Sequence, residues 1–198
     1  MSEAETTGRF PPFRVLLSRD EILRRIHELV RQLTADLGEG YADGPPCLVA
    51  VVEGARPLAR TVQRLLPGAL PVHEIKASSY GSGTESAGTV EVLGGRDIPC
   101  AGRTVILIED IVDTGRTIAR LREHFRAAGA LHCRVLTLLD KPSRRVADVV
   151  PDYIGFDIPD EFVIGFGMDI AGRYRELPDI VIYDAEIEKV FERTALAE

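Results

Sequence analysis

Val105-Ile106-Leu107-Ile108-Glu109-Asp110-Ile111-Val112-Asp113-Thr114-Gly115-Arg116-Thr117 is the stretch on which the fold turns. Four apolar residues in a row, three of them β-branched, predict a central strand of a parallel sheet covered on both faces. That strand is expected to empty into two adjacent carboxylates, with a third beyond them. After Thr117 the apolar residues Ile118, Leu121, Phe125 and Ala128 recur at helical spacing. The turn Thr114-Gly115-Arg116-Thr117 therefore opens a helix, where free backbone N–H groups and the positive end of the dipole favour a phosphate. Three acids beside a phosphate cradle point to a phosphorylated sugar, held through its hydroxyls and a metal ion.

Outward from this motif, strands and helices alternate. Ser18 and Glu21 form a capping box, followed by the apolar stripe Ile22, Leu23, Ile26, Leu29, Val30, Leu33 and Leu37, with Gly38 and Gly40 ending the helix. Cys47 to Val52, bounded by Pro45-Pro46, reads as a buried strand; Glu53-Gly54-Ala55-Arg56-Pro57 is a tight turn into a helix carrying Leu58, Val62 and Leu65. A strand is predicted around Val72 to Ala77, then a long run of small residues from Ser78 to Gly88, then a short strand from Val90 to Leu93. A loop of that length in a compact domain is either disordered filler or a moving lid. Cys133 to Leu139 is the next buried strand, ending at Asp140-Lys141-Pro142.

The alternation predicts an α/β fold: an open, mostly parallel, twisted sheet flanked by helices. Ligands of such sheets bind beyond the carboxyl ends of the strands. The turns after Val52, Ile108 and Leu139 all fall at such ends, which argues for one shared site. After Pro151 the short β-like pieces Tyr153 to Phe156, Phe162 to Phe166 and Ile180 to Tyr183 are expected to form a small hood with part of the N-terminal segment. The expectation is a single domain, 1–198, with a core of about 18–150 and a hood from about 1–17 and 151–198.

The chain has 198 residues, enough for a substantial core, with 45% apolar and 28% charged residues. A formal net charge of −7 argues against an extended nucleic-acid footprint. Met1-Ser2-Glu3-Ala4-Glu5 is acidic and polar, unlike a signal peptide, and no apolar stretch approaches the ~20 residues that span a bilayer. Cys47, Cys100 and Cys133 lack metal-ligand spacing and read as reduced thiols. The expectation is a cytoplasmic protein with neither nucleic-acid nor membrane partner.

Acids at a strand end also occur in Walker-B strands and receiver domains. A Walker-B site needs a Gly-rich loop ending Gly-Lys-Ser/Thr, and Lys occurs only at 76, 141 and 189, never after Gly. The motif from Val105 to Thr117 instead resembles the signature of the type I phosphoribosyltransferases. Lys141-Pro142-Ser143-Arg144-Arg145, the run Ile158 to Asp169 and Arg173-Tyr174-Arg175, with Ser79-Tyr80-Gly81, resemble the 6-oxopurine branch, the hypoxanthine and hypoxanthine-guanine enzymes.

That resemblance implies transfer of a phosphoribosyl group from phosphoribosyl pyrophosphate to hypoxanthine, and to guanine, with pyrophosphate leaving and Mg²⁺ as cofactor. It also implies the site. Glu109 and Asp110 would hold the ribose hydroxyls and contact metal, and Asp113 to Thr117 (Asp113, Thr114, Gly115, Arg116, Thr117) would wrap the 5′-phosphate. Asp113 would be the general base at a purine ring nitrogen. Lys141 would hydrogen-bond the purine 6-oxo group, Phe162 would stack on the ring and Val163 would meet its edge. Asp169 would contact metal and lie by the base. Glu53, Gly54, Ser79, Tyr80 and Arg175 would face pyrophosphate. Glu53 departs from the family's basic or neutral residue at that place and would repel pyrophosphate if aimed inward, so its side chain is expected to turn away, with Arg56 nearby supplying charge. Related enzymes assemble as dimers or tetramers, which implies a homodimer or homotetramer here. Two alternatives stay open at this level: a regulator that binds phosphoribosyl pyrophosphate without transferase activity, and a xanthine-specific transferase.

Overall fold

A computed structural model of the chain describes residues 9–38, 41, 44–79, 90–93, 95 and 97–195. In chain order the elements are β1 (Arg14–Leu17), α1 (Arg19–Leu37), β2 (Cys47–Val52), α2 (Arg56–Leu65), β3 (Val72–Ser79) and β4 (Val90–Leu93). They continue with β5 (Thr104–Val112), α3 (Arg116–Ala127), β6 (His132–Asp140), a 3₁₀ turn (Pro142–Arg144), β7 (Tyr153–Asp157), β8 (Val163–Ile164), β9 (Ile180–Ile182) and α4 (Ala185–Ala195).

The main sheet has the order β4-β3-β2-β5-β6-β7. All its pairs are parallel except β3 with β4. The strands read as continuous apolar runs because both faces are covered. On one face Leu48, Ala50, Ile106, Ile108, Leu136 and Leu138 pack with Ile22, Ile26, Leu29 and Leu33 of α1 and Leu58 and Val62 of α2. On the other face Val49, Val51, Val105, Leu107 and Val135 pack with Ile118, Leu121 and Phe125 of α3. The capping box that opens α1 is present: the Ser18 N–H donates to Glu21 Oε2 at 2.9 Å.

From β2 the chain first adds β3 on one side and later adds β5 on the other. The sheet therefore reverses its direction of growth between β2 and β5, and such a switch point leaves a crevice beyond the strand ends. The turn after Val52 and the acids of β5 border that crevice.

Three expectations need correction. The strand after Val105 does not end before its acids: β5 stays paired with β6 through Glu109↔Thr137 to Val112↔Asp140. Tyr153–Asp157 is not part of a hood that begins at 151; it pairs in parallel with β6 as the edge of the main sheet. A short apolar piece does not encode which sheet it joins; the linking segment 141–152 returns it alongside β6, with the buried Tyr153 joining the α1 side of the core. Third, α4 was not anticipated, although Asp184 caps it by accepting from the N–H groups of Glu186 and Ile187. The smaller sheet, β1-β9-β8, joins the N-terminal strand to the late segments. The Arg19 N–H ties it to α1 through Asp179 at 2.7 Å.

Candidate active site

Successive residues of a strand face opposite ways, so the paired acids of β5 serve two walls. Glu109 lines a cavity of about 80 Å³ with Asp113, Thr114, Gly115 and Thr117. Asp110 turns toward Gly54 at the entrance of α2. A Cβ on Gly54 would lie 1.7 Å from Asp110 Oδ2. The backbone of Gly54 is not left-handed, so glycine is needed there for room alone.

The phosphate-type turn is built from backbone. Gly115 adopts φ +80° as the N-cap of α3; no side chain caps that helix and no acid sits in its first turn. Its N–H groups thus face outward, ready for an anion. The turn is clamped by the segment after β6. The N–H groups of Val146 and Ala147 both donate to the Thr114 carbonyl at 3.0 Å. Arg145 Nε donates to the Asp113 carbonyl at 3.1 Å, and its Nη2 pairs with the buried Asp140. A Cβ on Gly115 would sit 2.8 Å from Arg145 Cδ. The Asp113 carboxylate is bound by Arg144 Nε at 2.8 Å, and Arg144 reaches on to Asp160 at 3.1 Å.

Lys141 is only 7% exposed, far from an ordinary loop lysine. Its Nζ donates to the Glu161 carbonyl at 2.7 Å, which draws the end of β6 to the segment carrying Phe162. Phe162 is 54% exposed, so it is not core; its ring leans edge-on against Tyr183, and Val163 after it is buried in β8. Lys141, Phe162 and Val163 form one corner.

The hood loop closes the opposite corner. A Cβ on Gly167 would stand 2.3 Å from the Gly54 carbonyl, so this loop lies directly on the Glu53–Gly54 turn. Asp169 Oδ1 pairs with Arg175 Nη2 at 2.8 Å, and Arg175 Nη1 donates to the Gly167 carbonyl at 2.9 Å. The peptide joining Val52 to Glu53 is cis. The Glu53 side chain turns outward to Arg56, in line with expectation. Arg116 and Thr117 sit in the first turn of α3. Ser79 closes β3, paired with Val90; Tyr80 lies outside the described residues.

Burial pushes the Glu109 carboxyl well above its usual range, with the neighbouring Asp110 adding to the effect. Its Oε2 is buried without a hydrogen-bond partner among the described residues. Asp110 is pushed up to about 6, by burial against the pull of the Ile111 N–H and Arg175, with Asp169 raising it further. Glu109 Oε2 thus faces the crevice without a donor, while Asp110 has one backbone donor and a distant guanidinium. Among the described residues no three His, Cys, Asp or Glu side chains cluster to cage an ion. One or two carboxylates plus ligand oxygens is how Mg²⁺ is commonly held, so Asp110 and Asp169 fit an ion that arrives with a polyphosphate.

Because the folded protein holds the Asp110 proton more tightly than the unfolded chain, this residue's contribution to stability falls as pH rises from about 4 through about 6. An Asp110→Asn protein without ligands should therefore melt higher than wild type at pH 7.5, by at most about 3 kcal/mol. The gap should narrow at pH 4.5. Thermal melts at the two pH values read this, and a lower Tm for the variant at pH 7.5 contradicts it.

Sequence reasoning assigned no role to several residues that build this site: Asp140, Arg144, Arg145 and Glu188. The arginines follow Lys141 closely, but Asp113 and Asp160, which they bind, lie far from them in sequence. Glu188 of α4 is buried and accepts from the hydroxyls of Tyr174 and Tyr183 while pairing with Arg173 at 3.0 Å. Burial raises its carboxyl, but those bonds outweigh burial and hold it below the usual range. Glu188 thereby anchors the 165–175 loop to α4. Glu188→Ala would strand two hydroxyls and should cost about 2–3 kcal/mol, measured as a lower urea midpoint; an unchanged midpoint removes the anchoring role.

A family described as phosphoribosyl transferase domain matches residues 18–171. The chain is 40% identical over 174 residues to the hypoxanthine-guanine phosphoribosyltransferase of Streptococcus thermophilus, covering 88% of this chain and 94% of that protein. It is 40% identical over 167 residues to the Bacillus subtilis protein of the same name, covering 84% and 91%. Among solved structures it is similar to a Bacillus anthracis hypoxanthine-guanine phosphoribosyltransferase, with TM-score 0.79, 37% identity and coverage of 86% and 98%.

Proposed function

The chain belongs to the phosphoribosyl transferase domain family, among the hypoxanthine-guanine phosphoribosyltransferases, and from that membership we propose how its residues divide the work. The enzyme serves purine salvage, transferring the phosphoribosyl group of phosphoribosyl pyrophosphate to hypoxanthine. That activity sets aside the regulator without transferase function. Enzymes of this family use a metal ion; for this chain we assign Mg²⁺, and guanine as a second acceptor.

In the reaction the bond from the anomeric carbon to pyrophosphate breaks as a purine ring nitrogen bonds to that carbon and loses its proton. The Thr114–Thr117 turn grips the 5′-phosphate through backbone N–H groups. Glu109 and Asp110 accept from the ribose hydroxyls and fix the sugar's orientation. Asp110 and Asp169 are the carboxylates that would hold Mg²⁺, whose contribution is to neutralise charge growing on pyrophosphate. Arg175 steadies Asp169. Asp113 takes the proton from the purine nitrogen, and Arg144, bonded to its carboxylate, keeps it aimed until the base arrives.

Lys141 donates to the 6-oxo group, a bond that the amino group of adenine cannot accept, while Phe162 stacks on the ring and Val163 meets its edge. We place the hood at β1, β8, β9 and α4, with Tyr153–Asp157 in the core. Assembly as a dimer or tetramer and a cytoplasmic location complete the reading. Among the described residues no helix is long and apolar enough to cross a membrane.

The observation that carries these assignments is the meeting of Gly54 and Asp110 at the switch point, with the clamped turn on one side and the Lys141 corner on the other. The test is pyrophosphate release from phosphoribosyl pyrophosphate and Mg²⁺ in the presence of competing bases. Hypoxanthine and guanine should both react and adenine should not. Preference for adenine would overturn the Lys141 assignment, and reaction with xanthine alone would overturn the acceptor range.

A further inference from the structure

The turn that follows β2 carries an acid beside the place where an anion is read to bind. Glu53 precedes Gly54, and the inner wall of that turn is already occupied by the Asp110 carboxylate pressed against Gly54. A second carboxylate aimed inward would add like charge where pyrophosphate must sit.

The structure shows what keeps it out. Arg56, the first residue of α2, binds the Glu53 carboxylate through Nη1. Its remaining edge is taken by Glu74 of the neighbouring strand β3: Nε donates to Oε1 and Nη2 to Oε2, both at 2.8 Å. Three of its nitrogens are thus engaged by two acids, and the bidentate fork fixes the guanidinium plane. We infer that Arg56, braced by Glu74, is a positioning residue that holds the Glu53 side chain outside the turn so that the Glu53–Gly54 backbone can face pyrophosphate. This rests on the proposed pyrophosphate site.

All three side chains are more than a third exposed. Ion pairs of that exposure contribute little to stability, so the network's value lies in where it puts Glu53. That separates a positional role from a structural one. Removing the guanidinium should leave the melting temperature nearly unchanged while weakening only the pyrophosphate-bearing ligands.

The test is a double-mutant cycle of Arg56→Met, Glu53→Gln and the pair, read by steady-state kinetics at low ionic strength, calorimetric titration of Mg²⁺-pyrophosphate and thermal melts. R56M should raise KM for phosphoribosyl pyrophosphate and Kd for Mg²⁺-pyrophosphate about tenfold, with KM for hypoxanthine within about twofold. Adding E53Q should return both constants to within about twofold of E53Q alone, since the group to be restrained is then uncharged. Glu74→Gln should shift them the same way by less. An equal loss on R56M with or without E53Q would mean that Arg56 touches pyrophosphate or props the fold, and would overturn the inference. A parallel rise in KM for hypoxanthine, or no change in either constant, would overturn it too. Failure of the wild type to release pyrophosphate with any purine would instead strike the proposed function; the titration arm reads Arg56 without turnover.

Discussion

Replacing Asp113 by Asn is expected to lower kcat with hypoxanthine by about 10²–10⁴-fold, the usual worth of a general base, while KM for phosphoribosyl pyrophosphate stays within about threefold. The split follows from how the turn is held. Its clamps act on main-chain oxygens: Arg145 on the Asp113 carbonyl, and the N–H groups of Val146 and Ala147 on the Thr114 carbonyl. None of them needs the Asp113 carboxylate. The amide oxygen of Asn can still accept from Arg144, which bonds Oδ1 at 2.8 Å. The variant therefore keeps the shape of the cradle and loses only the ability to take a proton. Steady-state kinetics with both substrates varied would decide it. An undiminished kcat would end the base assignment; a KM for phosphoribosyl pyrophosphate rising in step with the fall in kcat would show that Asp113 serves the cradle instead.

Gly54→Ala should lower kcat/KM for phosphoribosyl pyrophosphate about 10²-fold, as expected of displacements near 1 Å at a reacting centre. The added Cβ would stand 1.7 Å from Asp110 Oδ2 and 2.7 Å from its Cγ. Neither neighbour can yield easily. Asp110 is held in β5, with its Oδ1 accepting from the Ile111 N–H at 3.0 Å. The turn is pressed from outside, because Gly167 leaves only the room of a hydrogen against the Gly54 carbonyl. If Gly54 exists to make space for Asp110, the two positions must be non-additive, and Gly54→Ala/Asp110→Ala should be no worse than Asp110→Ala alone. A kcat/KM within about threefold of wild type, or additive losses in the double variant, would refute the steric account.

The strands of the main sheet were legible because burial on both faces demands unbroken apolar runs, as in Cys47–Val52 and Val105–Ile108. The turn at Gly115 was legible because a glycine there separates a strand's acids from a helix's first turn. Lys141 was recognisable only through its motif; its burial and its bond to the Glu161 carbonyl join residues twenty positions apart and leave no local pattern. Arg145 with the Asp113 carbonyl and Glu188 with Tyr174 are likewise joined across distant positions. Tyr153 to Phe156 is too short a piece to show from sequence which of the two sheets it joins. An apolar run marks a strand only as far as both faces are buried, so Val105–Ile108 does not show that Glu109 and Asp110 belong to it too. Here β5 continues because its ladder with β6 persists beyond the core, into the crevice.

By itself, the order of residues determined the alternation of strand and helix and which turns lie at the carboxyl ends of the strands. These are properties of short windows, governed by side-chain periodicity and backbone freedom. Only the assembled molecule decided that Asp110 leans on Gly54, that Gly167 closes over them, and that Glu74 of β3 takes the outer edge of Arg56. Such contacts depend on where the sheet reverses its growth and which loops meet above it, and no local stretch of chain carries that information.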